Sequence, residues 1–254
     1  MLSIFQQSGY FFYRNYLYFL PVIVAFVLFA SLLAKPEMPQ GSTLSMNELA
    51  TLYMQSNLYL LYIAYLFGFP FVLAIAKRRI NAPDESIATC LTASFFSCWQ
   101  AIISFGLVLL TLGAAVWLAF SLLSSVLGLY VSMLYLIVMA LAIYTMLRLS
   151  LLLPALVEDR LLPHQAVLRS FAATRGRIWM VLGAYALIFA ISIGLILVLN
   201  LLSLVAGTWL GNMLAGLVDI HLNVLLLIVF YRLYLLHKSG ELDSPNDEGQ
   251  FRKL

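Results

Sequence analysis

The side chains in this sequence that could do chemistry are few and far apart. His164, His221 and His237 are widely separated, without the close spacing that a zinc site requires. No phosphate-cradling loop, nucleophile elbow or paired zinc-binding histidine motif occurs. No catalytic, metal-ligating or cofactor-binding residue is therefore assigned, and an enzyme is not expected. Cys90 and Cys98, the only cysteines, do not make a disulfide framework and read as small apolar packing residues. More informative are polar groups set inside apolar stretches, because ionisable side chains within a span usually mark a transport pathway. Asp219 and His221 are such groups. If the last hairpin turns near residues 209–210, Asn200 comes to the depth of Asp219, and Asn223 lies one helical turn beyond it. Asn200, Asp219 and Asn223 then form a polar cluster. It either satisfies itself by hydrogen bonding or makes a small site for an ion or a head group.

A second set is cationic. Arg169, Arg175 and Arg177 lie in a basic stretch that ends in Ile178-Trp179. Cations beside an apolar face at a membrane surface either set topology or contact anionic lipid head groups, each contributing roughly 1 kcal/mol.

The elements that position these residues follow from composition. Of 254 residues, 63% are hydrophobic and 10% charged, where soluble domains carry about 45–50% and about 25%. A soluble globular domain, a disordered chain and a disulfide scaffold are excluded. A helix crosses the bilayer core with about 20 apolar residues, which predicts one membrane domain over 1–254 with spans near 17–34, 53–76, 97–120, 127–147, 179–203 and 213–236. Arg14 alone precedes the first apolar run, which reads as an uncleaved span. With the N-terminus inside, every Lys and Arg except Lys35 falls on the cytoplasmic side, the bias expected of that orientation. Both termini are then cytoplasmic, and 241–254 reads as a flexible tail.

Residues 83–99 and 163–179 align at a fixed offset: Pro83 with Pro163, Ile87 with Val167, Leu91 with Phe171, Ala93 with Ala173 and Trp99 with Trp179. Each alternates apolar and polar residues at helical spacing before running into a span, as does a helix lying in the interface plane. Val167, Phe171 and Ile178 are expected on one face, with Gln165, Arg169 and Arg177 mostly on the other. Ile4, Phe5, Phe12 and Tyr16 suggest a third copy. The expected fold is all-α: six transmembrane helices in three parallel hairpins. Each hairpin is preceded by a cytoplasmic interfacial helix, at about 2–14, 83–96 and 163–176.

Pro154-Ala-Leu-Val-Glu-Asp-Arg160, followed by the stretch from Ala166 to Trp179, resembles the YciC-like family of uncharacterised bacterial inner-membrane proteins. Gly9-Tyr-Phe-Phe-Tyr-Arg-Asn15 and Phe230-Tyr-Arg-Leu-Tyr234 resemble that family's ends. A wider resemblance extends to the membrane domain of some glycerophosphodiester phosphodiesterases. The resemblance implies six spans and an inner-membrane location, and no catalytic residues.

The expected function is a non-enzymatic scaffold that organises lipid or holds a partner through its cytoplasmic interfacial helices. The alternative is a small-solute or lipid transporter with its site between the hairpins. Expected partners are membrane lipids and a second membrane or envelope protein, with no nucleic acid and no cofactor.

Overall fold

The computed structural model describes residues 2–33, 65–127, 131–206 and 208–240, which form helices joined by short turns, with no strand among them. α1 (Leu2–Arg14) turns Ile4, Ser8, Phe11 and Phe12 inward at helical spacing and leaves Leu2, Tyr10 and Tyr13 exposed. α2 (Tyr16–Leu33) leaves α1 at 84°. Asn15 makes this corner. Its buried side chain donates from Nδ2 to the Phe11 carbonyl at 2.9 Å, closing the end of α1.

α3, over 65–81, runs antiparallel to α2. Arg79 lies over the Tyr18 ring at one end, and Phe26 meets Tyr65 and Phe69 at the other. Gly68 permits this approach, because a Cβ there would lie 2.0 Å from the Phe26 ring. α4 (Ile87–Leu127) is one helix of 41 residues, about 60 Å long at 1.5 Å per residue and about twice the thickness of a hydrocarbon core. There follow α5 (Val131–Leu149), α6 (Leu152–Asp159), α7 (Pro163–Thr174), α8 (Ile178–Ala206) and α9 (Thr208–Ser239).

Among the described residues, four segments are long and apolar enough to cross a membrane: Ile87–Ala119, Ala140–Asp159, Ile178–Leu199 and Gly216–Ser239. The bent pair α1–α2 passes the same test when taken together. The chain is thus all-helical with several long apolar helices. Of the sequence-based boundaries, residues 34–64, 128–130 and 207, Lys35 and the tail 241–254 lie outside the described residues.

The core forms where α2, α3, α6 and α9 meet. Phe19, Leu73, Ile75, Leu156, Val229 and Tyr234 are all fully buried there. α8 packs along α9, α1 and α2 rest on α9, and α6 touches α4, α7 and α9.

Two features depart from the sequence-based expectation. No separate helix covers 83–96. Residues 82–86 form a turn, and α4 starts at Ile87 and continues through Trp99 without interruption. The start is late because Ser86, not Pro83, opens the helix, its Oγ accepting from the Thr89 N–H at 3.3 Å. Residues 209–210, where the last hairpin is expected to turn, are helical and belong to α9.

The inward face of α7 also differs from its apolar pattern. Ala166, Ser170, Ala173 and Thr174 are buried, whereas Leu168 and Phe171 are exposed. Small residues let helices approach closely, and Ser170 Oγ donates to the Arg148 carbonyl at 2.7 Å.

Candidate functional site

The densest polar constellation lies at the C-terminal end of α6. Leu152 to Val157 are all buried, so the helix delivers Glu158 and Asp159 to a partly buried place, their side chains 17% and 18% exposed. Such a placement is costly unless the charges are paired. α3 sends in Lys77, whose Nζ donates to the carbonyls of Val157 at 3.0 Å and Glu158 at 2.7 Å and lies 3.6 Å from Glu158 Oε2. One ammonium thereby caps the last carbonyls of α6 and meets the negative end of its dipole. α9 contributes three more groups at steps of three and four residues, hence on one face. Tyr231 donates to Glu158 Oε2 at 2.8 Å, and Tyr234 donates to Asp159 Oδ2. Lys238 Nζ bridges Glu158 Oε1 at 3.2 Å and Asp159 Oδ1 at 2.6 Å. The two carboxylates thus join α3, α6 and α9.

A second network holds the corner between α1 and α2. Arg79 Nε donates to Asn15 Oδ1 at 2.9 Å, and Tyr18 donates to the Glu85 carbonyl at 2.8 Å. Arg78 clasps Glu85 through Nε and Nη2, both at 2.6 Å. This double hydrogen bond holds the Glu85 carboxyl below the usual carboxylate range and raises the Arg78 guanidinium above its own. Nearby, Tyr16 stacks on His221 with ring centroids 5.6 Å apart, and its hydroxyl lies 2.9 Å from Nε2. His221 Nδ1 lies 2.6 Å from the Leu217 carbonyl. The Leu217 carbonyl can only accept, so Nδ1 donates to it, and in the neutral ring Nε2 then accepts from Tyr16.

Set against protein-family models, curated proteins and solved structures, the chain matches none. Its site must therefore be read from its own geometry.

The residues singled out from the sequence are placed as follows. Arg169 is close enough to Asp159 and Tyr234 to act on both, which directs it toward the α6 cluster. Arg177 Nη1 donates to His237 Nδ1 at 2.5 Å. Arg175 is exposed at the end of α7, where its N–H donates to the Ala172 carbonyl at 3.1 Å. On α9, Asn223 Nδ2 donates to the Asp219 carbonyl at 3.0 Å and to Oδ2 at 3.1 Å. The backbone of Asn200 belongs to α8, and its side chain lies outside the described residues.

Sequence reasoning missed the α6 cluster, with Glu158 and Asp159 noted only as part of the Pro154–Arg160 motif. Two signals were available. A run of six apolar residues that ends in adjacent carboxylates reads as a buried helix that must find cations for them. Tyr231, Tyr234 and Lys238 recur at helical spacing along one face of α9.

Proposed function

We propose that the chain is a bacterial inner-membrane protein of the YciC-like kind, with six spans in three parallel hairpins and both termini cytoplasmic. In this reading it organises anionic lipid, or seats a membrane or envelope partner, through helices at the cytoplasmic interface, and performs no catalysis. One observation carries the reading. At the junction of α7 and α8, Leu168, Phe171 and Trp179 are 69%, 37% and 76% exposed, beside the exposed Arg169 and Arg175. Large apolar side chains flanked by arginines fit the boundary between head groups and acyl chains.

Two further regions support it. Tyr10 and Tyr13 are exposed on α1, and Phe95, Phe96 and Trp99 near the start of α4, as suits an aromatic belt. The α6 cluster supplies the internal rigidity that a scaffold needs. The transporter reading draws on Asp219 and Asn223, which meet on α9.

Lipid retention tests the function directly. Wild type and a Leu168→Ser/Phe171→Ser/Trp179→Ser variant would be extracted in mild detergent, and the retained lipid quantified by mass spectrometry. The expected result is normal folding with severalfold less lipid. Equal retention would refute the reading. Topology is tested separately: a cysteine introduced at Ser42 should be labelled from outside sealed cells, and one at Asn246 should not.

A further inference from the structure

Between the end of α3, the first turns of α4 and the end of α6 lies a pocket of about 220 Å³. It is large enough for roughly seven waters at ~30 Å³ each. Lys77, Arg78 and Arg160 line it together with Asn81, Ser97 and Val157. Three cations from two separate elements thus converge on a small polar space.

They are not equivalent. Lys77 spends its ammonium on the Val157 and Glu158 carbonyls and the Glu158 carboxylate, so it has no donor left for a ligand. Arg78 grips Glu85 through Nε and Nη2. Arg160 is different. Its carbonyl accepts from Gln100 Nε2 at 3.0 Å, which fixes its backbone against α4. Among the described residues no carboxylate or carbonyl is paired with its exposed guanidinium.

Its backbone is also unusual. Arg160 ends α6 with φ 50° and ψ 41°, and among the described residues it is the only non-glycine with positive φ. The position after a helix is commonly glycine when left-handed, because a Cβ is disfavoured there. This chain holds an arginine in that conformation beside a pocket whose two other cations, Lys77 and Arg78, are already paired with carboxylates. A guanidinium presents five N–H donors in a planar fork that matches phosphate oxygens.

We propose that the pocket lined by Arg160, Arg78 and Lys77 binds a phosphate group, carried by an anionic lipid head group or by a small phosphorylated solute. Arg160 provides the fork and the Asn81 amide a further donor, while Lys77 and Arg78, held by Glu158 and Glu85, complete the wall. The lipid form of the proposal rests on the lipid-organising reading above; the phosphate chemistry does not.

Arg160→Gly makes the test clean. Glycine removes the fork and suits the left-handed backbone, and the Gln100 hydrogen bond to the residue 160 carbonyl is kept. Full-length wild type and Arg160→Gly would be equilibrated with vesicles of equal phosphatidylglycerol and phosphatidylcholine, and the retained lipid counted by native mass spectrometry. In parallel, the thermal midpoint of each would be followed against inorganic phosphate. The expected result is preferential phosphatidylglycerol retention by wild type, reduced about tenfold in Arg160→Gly, with a thermal midpoint at or above wild type. Stabilisation of wild type but not Arg160→Gly by inorganic phosphate, without lipid preference, would keep the pocket and assign it to a solute. In that case the lipid-organising reading fails and the pocket survives. Identical lipid retention and identical phosphate response in the two proteins would overturn the proposal, even if retention still depended on Leu168, Phe171 and Trp179.

Discussion

The stretch from Pro83 to Trp99 and the stretch from Pro163 to Trp179 share a layout, yet one becomes the straight start of a 41-residue helix and the other a separate helix and a turn. The difference sits at one aligned position. Gly176 has φ +75° and lies in the turn between α7 and α8, a conformation that side chains resist. Its counterpart is Phe96, which continues the helix of α4. A second difference lies at the start. Pro163 is the first residue of α7, whereas Pro83 stays in a turn whose Glu85 is held by Arg78. Two segments with the same apolar rhythm therefore part company through one backbone requirement and one ion pair. Apolar rhythm sets which face is greasy; it does not set where a helix breaks.

α6 packs against both α4 and α7, so loosening it tests whether the contrast is local or imposed from the core. Glu158→Gln should have the largest effect, about 3 kcal/mol of lost stability, because it strips charge from a site that Lys77, Tyr231 and Lys238 have organised. Denaturant unfolding in micelles would measure it. Hydrogen exchange at residues 175–177 should stay fast, since the break belongs to Gly176. Slow exchange there would show that the core imposes the break.

Gly176→Ala attacks the contrast itself. It should cost about 1–2 kcal/mol or fuse α7 to α8, and exchange protection across residues 174–178 tells the two apart. An unchanged stability with an intact turn would refute the role given to Gly176. Ser170→Ala, which removes the hydroxyl donated to the Arg148 carbonyl, should cost about 1 kcal/mol and loosen α7 without touching α4.

The smallest effect concerns Glu85. Its carboxyl is held below its ordinary value by the hydrogen bonds from Arg78. The stability it contributes is therefore complete above that value and declines as pH falls through the lower folded value. The thermal midpoint of wild type should drop more than that of Glu85→Gln between pH 6 and pH 3. Parallel curves would remove the ion pair from the account of why α4 starts late.

The sequence makes the all-helical, strongly apolar character plain, since composition alone decides it. Pairs one turn apart, such as Asp219 and Asn223, can also be read from spacing. The α6 cluster could not be assembled that way. Glu158 meets Lys77 and Tyr231 across more than 70 residues on either side, and nothing in local periodicity states which helices become neighbours. The inward face of α7 was misleading for a different reason. α7 buries Ala166, Ser170, Ala173 and Thr174 and leaves Leu168 and Phe171 exposed, so the rule that large apolar residues mark the inward face points the wrong way.

The corner at Asn15 has a consequence in time. α1 rests on α9 through Gln7 and Arg232, and Tyr16 meets His221. Each partner lies more than 200 residues further along the chain. At a synthesis rate of about 5–20 residues per second, α1 waits roughly 10–40 s for its seat. During that interval Phe11 and Phe12 can pack only on Phe19 and Tyr16 of the neighbouring α2. An amphipathic helix can spend such a wait at the membrane surface. α1 and α2 thus precede their contacts on α9 by more than 200 residues, and the arrival of α9 is what fastens them.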